Sequence, residues 1–156
     1  MKGFRITNRQ SVKENIDRIL LEQADYILGM CRTGPEDVHQ SVHEIRKSIK
    51  RIRAVLRLIR DEIGYSTYYR ENVAYRDINR SLSDLRTFNV LILILEKIRE
   101  KLSPGLNEKP VDRLIGSIRD QREELLAGVY SDEKTYLNIA GKVQEAKARI
   151  PDLPPN

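Results

Sequence analysis

From residue 11 onward, apolar positions recur at steps of three and four, the period of a helix and not the alternation of a strand. Ser11-Val12-Lys13-Glu14 has the form of a capping box, and Ile16, Ile19, Leu20, Gln23, Ile27 and Met30 give the first predicted helix its stripe. "RTGPED" interrupts the pattern at Gly34-Pro35, with Pro35 suited to a helix start. A second helix is predicted over about 36–63, ended by Gly64. A Tyr-rich third helix runs from about Thr67 into "DINRSLSDLR", with Ile78, Leu82 and Leu85 on one face. In "FNVLILILEKIREKL" the run Val90 to Leu95 alone would suit a buried strand. Phe88, Leu91, Ile92, Leu95, Ile98 and Leu102 nevertheless keep helical spacing, which predicts a helix, largely buried. "SPGLNEKP" reads as a loop, helices follow over about 111–130 and 132–150, and "PDLPPN" at 151–156 reads as a tail or linker. The pattern predicts an all-α fold: an antiparallel helical bundle of four to five long helices, one domain over residues 1–150.

A chain of 156 residues is long enough to bury a core in one domain. With 33% charged and 40% apolar residues it has the make-up of a folded, soluble protein. Aromatics are few and Trp is absent, which favours helices over a sheet sandwich. The N-terminal stretch has no apolar segment of the secretory kind, and the aliphatic run at Val90 to Leu95 is too short to span a bilayer. A cytoplasmic protein with no membrane partner is expected. Cys31 is the one cysteine, so no internal disulfide forms, and it reads as a small buried hydrophobe. A net charge of +5 and a pI near 9.4 point to an anionic partner.

That charge is concentrated. On the second helix Val42, Ile45, Ile49, Ile52, Leu56, Ile59 and Ile63 form the core stripe, widened by Val55 and Leu58. Beside it His43, Arg46, Lys50, Arg53, Arg57 and Arg60 form a second ridge, with Lys47 and Arg51 on its outer flank. The fifteen residues 46–60 hold seven Arg or Lys and no acid. Pairs such as Arg46/Lys50, Lys47/Arg51 and Arg53/Arg57 place like charges one turn apart, where Glu–Lys alternation would have stabilised the helix. Two explanations compete. Acids on neighbouring helices, such as Glu71, Asp77 or Asp84, could fold over the ridge, or the ridge awaits a polyanion. Arginine dominance favours the second, because a planar guanidinium grips phosphate oxygens with two bonds at once. A ridge of more than ~20 Å, at 1.5 Å per residue, suits an extended chain of phosphates better than one small ligand.

These residues resemble the opening signature of the CHAD family, the conserved-histidine α-helical domains. That signature runs V-H-x-x-R, then a basic pair, then further arginines down one helix; Val42, His43, Arg46, Lys50, Arg51, Arg53 and Arg57 occupy its positions. "INRSLSDLRTFNVLI" resembles the family's second signature. Leu82, Arg86 and Val90 match it, while Thr87 and Asn89 stand where aspartates are usual. The resemblance implies a helical domain that binds inorganic polyphosphate through a basic channel. It makes His43, Arg46, Lys47, Lys50, Arg51, Arg53 and Arg57 phosphate ligands, with Arg60 extending the ridge and Arg86 joining from the second signature. It covers roughly residues 12–101, the N-terminal half of a two-half domain. A homodimer or a missing C-terminal half would then complete the pore.

Catalytic chemistry finds little footing. The glycines are scattered with no G-K-[ST] phosphate loop, and no Cys/His grouping suits zinc. His39 and His43 lie one turn apart but lack a third metal ligand at suitable spacing. The expectation is a binding module, not an enzyme, with no cofactor and no metal. Nucleic acid, RNA in particular, is the alternative partner, since it uses the same electrostatics. Against it, the ridge carries no aromatic side chain for base stacking; Tyr65, Tyr68, Tyr69 and Tyr75 gather on the next helix. A structural bundle docking on an acidic protein surface is the third reading.

Overall fold

The computed structural model describes residues 4–32, 38–102, 108–125 and 133–154, with no strand among them. Seven helices are described: α1 Val12–Arg32, α2 Val38–Leu58, α3 Arg60–Ile63, α4 Tyr65–Ser81, α5 Ser83–Lys101, α6 Lys109–Leu125 and α7 Glu133–Ala148. A 3-10 turn, Ile150–Asp152, follows. The expected helix start at Pro35 and residues 126–130 of the helix expected over 111–130 lie outside the described residues.

The capping box forms as its residues dictate. The Ser11 N–H donates to Glu14 Oε2 (2.7 Å) and the Glu14 N–H to Ser11 Oγ (3.2 Å), closing the N-terminus of α1. That backbone bond, with help from the hydroxyl, holds the Glu14 carboxyl below its ordinary value. Behind the cap, buried Asn15 donates through Nδ2 to the carbonyls of Thr7, Gln10 and Ser11, and its Oδ1 accepts from the Thr7 N–H. One side chain thereby fixes the segment that leads into α1.

The stripes meet as one core: Leu20 and Ile27 of α1, Ile45, Ile49, Ile52 and Leu56 of α2, Ile78 of α4 with Leu82 beyond it, and Val143 of α7. Side-chain contacts set the directions. Tyr26 meets Glu44 and Arg51 lies over Phe4, so α1 and α2 are antiparallel. Arg46 meets Asn79 and Arg53 meets Asn72, so α2 and α4 are antiparallel as well. Buried Glu71 of α4 takes a two-point bond from Arg149, just past α7, with Nε at 2.8 Å and a terminal nitrogen at 3.1 Å. The free thiol of Cys31 is half-buried, and burial pushes it up to about 11, in keeping with a packing role.

Three differences from the sequence reading have physical causes. The helix expected over 36–63 breaks for one residue at Ile59 (φ −98°, ψ 9°), after which α3 resumes. The chain breaks again at Leu82 (φ −99°, ψ 2°), where continuous helix was expected. And α5 is a helix but is not largely buried. Ile92 is covered, while Val90, Leu91, Leu93 and Ile94 stand exposed. Its main neighbour is α6, through pairs such as Arg99–Asp112 and Arg119–Glu96, and a helix with one flanking partner buries one stripe. At the other end Ile150 and Leu153 are both buried, so the packed chain runs past the expected boundary at 150.

Gly64 joins α3 to α4 at φ 80°, ψ 152°, a region open to glycine almost alone. A Cβ there would meet nothing within 4 Å, so the obstacle is backbone strain and not crowding. Gly64→Ala is expected to cost about 1–3 kcal/mol, read as a lower denaturation midpoint at unchanged slope.

Candidate anion-binding face

Helix α2 buries Val42, Ile45, Ile49 and Ile52 and turns the opposite side outward, where His43, Lys47, Lys50 and Arg57 are exposed. The structure divides the expected ridge into three groups. His43, Lys50 and Arg57 point to solvent, and none has a carboxylate within ion-pair distance among the described residues. Arg46 and Arg53 lie on the flank that faces α4. Arg46 donates to the Asn79 carbonyl (2.8 Å) and to Ser83 Oγ (3.3 Å), which pins α2 to the α4–α5 junction. Arg53 donates through Nε to Asn72 Oδ1 (2.9 Å), a neutral acceptor that steadies the guanidinium and leaves its charge intact.

Lys47 and Arg51 turn toward α1. Lys47 stands 3.7 Å from Glu44, and the Arg51 guanidinium lies 6.0 Å from the centroid of the Phe4 ring. Arg60 does not continue the ridge on α2. The helix breaks at Ile59, and Arg60 opens α3, where it pairs with Asp61 at 3.4 Å. The side chains of Arg86 and His39 lie outside the described residues.

The acids that could have neutralised the ridge are engaged elsewhere or stand apart. Glu71 is buried with Arg149 and Arg70, and Asp77 pairs with Arg76. Asp84 is exposed, with no ion pair among the described residues. The like charges of α2 therefore remain largely uncompensated. The positions where the family's second signature has aspartates also face elsewhere: Thr87 donates back to the Ser83 carbonyl, and Asn89 accepts from Arg122 of α6 at 3.5 Å.

Two cations escaped the sequence reading. Asn72 and Asn79 both touch α2, so Arg76, between them along α4, lies level with Lys50 on the same edge. Arg80 is exposed one turn further. Together they give the face a second, weaker basic wall. Their spacing was visible in "RDINR", but the register that brings them beside α2 was not. Among the described residues no three His, Cys, Asp or Glu come together as a metal site would require.

An all-α bundle with an unneutralised Arg/Lys face on its second helix defines the class. The family model of the CHAD domain matches residues 14–153, nearly the whole chain. The protein belongs to the CHAD domain family, and the match takes in α6 and α7, beyond the N-terminal stretch that carries the sequence resemblance. No curated protein and no solved structure gives a significant match. No helix among the described residues is long and apolar enough to cross a membrane.

Proposed function

We propose that the outer face of α2 binds inorganic polyphosphate or a similar polyanion, and that the protein is a binding module and not an enzyme. The observation that carries this reading is the exposure of His43, Lys50 and Arg57 at every second turn of α2, with no carboxylate within ion-pair distance among the described residues. Membership of the CHAD family supports it. In this mechanism Lys50 and Arg57 donate charge-assisted hydrogen bonds to phosphate oxygens, each stronger than a neutral one. Arg53, already oriented by Asn72, pays little conformational entropy on binding. Arg76 and Arg80 close the face from the α4 side.

Counterions released from the ligand supply much of the affinity, which makes salt the direct test. If four cations each neutralise one phosphate, raising salt from about 50 to 200 mM should weaken binding roughly fiftyfold. Calorimetry with long-chain polyphosphate reads this. A salt-independent affinity would remove the electrostatic reading. RNA binding by the same face is the second reading, favoured by the exposed Tyr65 and Tyr69 near its end.

A further inference from the structure

Where α3 turns into α4, two large rings are left in water. Tyr65 and Tyr69 are 75% and 53% exposed, one turn apart, with ring centroids separated by 6.0 Å and planes inclined at 27°. Tyr68 lies tilted beside Tyr65 at 6.5 Å, partly buried against the core. Arg60, Asp61, Gly64, Tyr65 and Tyr68 line an open cavity of about 460 Å³, a volume in the range of small-molecule sites. Gly64's positive φ turns the chain so that α4 starts directly beside Arg60.

The cavity lies at one end of the basic face. Arg46 meets Asn79 and Arg53 meets Asn72, so each step forward on α2 is a step back on α4. On that register Arg57 comes level with Tyr68. Arg60 and Asp61 at the cavity wall pair with each other, so the cavity adds no net charge to draw in a further phosphate and suits an uncharged ring. Aromatic rings exposed beside arginines offer a flat surface on which a base stacks.

We propose that this cavity takes the base of a nucleoside polyphosphate whose phosphates run along α2 from Arg57 toward Lys50. The inference rests on the polyphosphate reading of that face and specifies a ligand for it. Paired rings at one end, with no aromatic residue on α2 from His43 to Arg57, match a ligand with one base and several phosphates. RNA would present a base at every phosphate.

The test is calorimetry at fixed ionic strength and neutral pH, without divalent cations, comparing ATP, inorganic tripolyphosphate, long-chain polyphosphate and an oligoadenylate. ATP is expected to bind about tenfold more tightly than tripolyphosphate, the scale of one base–aromatic stack. Tyr65→Ala with Tyr69→Ala should erase that preference and leave the tripolyphosphate affinity unchanged, with circular dichroism confirming the fold. If ATP binds no more tightly than tripolyphosphate, or the variant keeps the preference, the base site is wrong. Should long-chain polyphosphate still bind in that case, the phosphate face stands without it. If no phosphate compound binds, both proposals fall. An oligoadenylate that outcompetes ATP, and loses its advantage in the same variant, would assign the cavity to RNA and overturn the mononucleotide.

Discussion

Lys50→Glu combined with Arg57→Glu is expected to lower the affinity for long-chain polyphosphate by at least about a hundredfold. Two lost charge-assisted bonds at about 1.5 kcal/mol each come to about 3 kcal/mol, and every 1.4 kcal/mol is a factor of ten. The reversed charges add repulsion to that loss. Both side chains are exposed and pair with no carboxylate among the described residues, so folding has no reason to suffer. Stability should hold or rise slightly, because Arg53 then sits between acids where it now has like-charge neighbours one turn away on either side. Calorimetry reads the first effect and thermal denaturation the second. Unchanged affinity in a folded double variant would exclude this face. A matched loss of binding and stability would mean the residues serve the fold.

The second large effect concerns the pair between α4 and the end of α7. Arg149→Met is expected to destabilise the protein by about 3 kcal/mol, since removing one partner of a buried ion pair strands the other. The stranded group is Glu71, whose side chain is 3% exposed; its second partner, Arg70, is 59% exposed and holds it from the surface. The reverse change, Glu71→Met, should cost less, because the Arg149 side chain is 34% exposed and can reach water. Removing both charges together should recover much of the loss, as apolar replacements of buried pairs often do. Denaturant unfolding of the two single variants and the double variant separates these outcomes. Equal losses in both single variants would show that the asymmetry of exposure does not govern the pair.

Local periodicity made much of this molecule legible. The Ser11–Glu14 cap and the Val42–Ile45–Ile49–Ile52 stripe follow from local sequence and the helix repeat, and each appears where the residues place it. What stayed hidden depends on partners far along the chain. Arg46 gives two of its bonds to residues 33 and 37 positions away, and no spacing within α2 announces that. The exposed side of α5 was illegible for a related reason: apolar spacing shows that a helix can be buried, whereas the number of neighbours decides how much of it is. Arg60 continued the repeat on paper, yet a one-residue break at Ile59 put it on the separate short helix α3. Arg76 and Arg80 joined the face only through the antiparallel register of α2 and α4.

Both walls of the basic face come from one unbroken stretch of chain, from His43 on α2 to Ser83 at the head of α5, joined through the short α3 and Gly64. One residue inserted between Ile59 and Gly64 would swing the following helix by about 100° and slide it about 1.5 Å. Asn72 and Asn79 would then miss Arg53 and Arg46. This connector can therefore exchange residue types, apart from its glycine and the buried Ile63, far more readily than it can change its length.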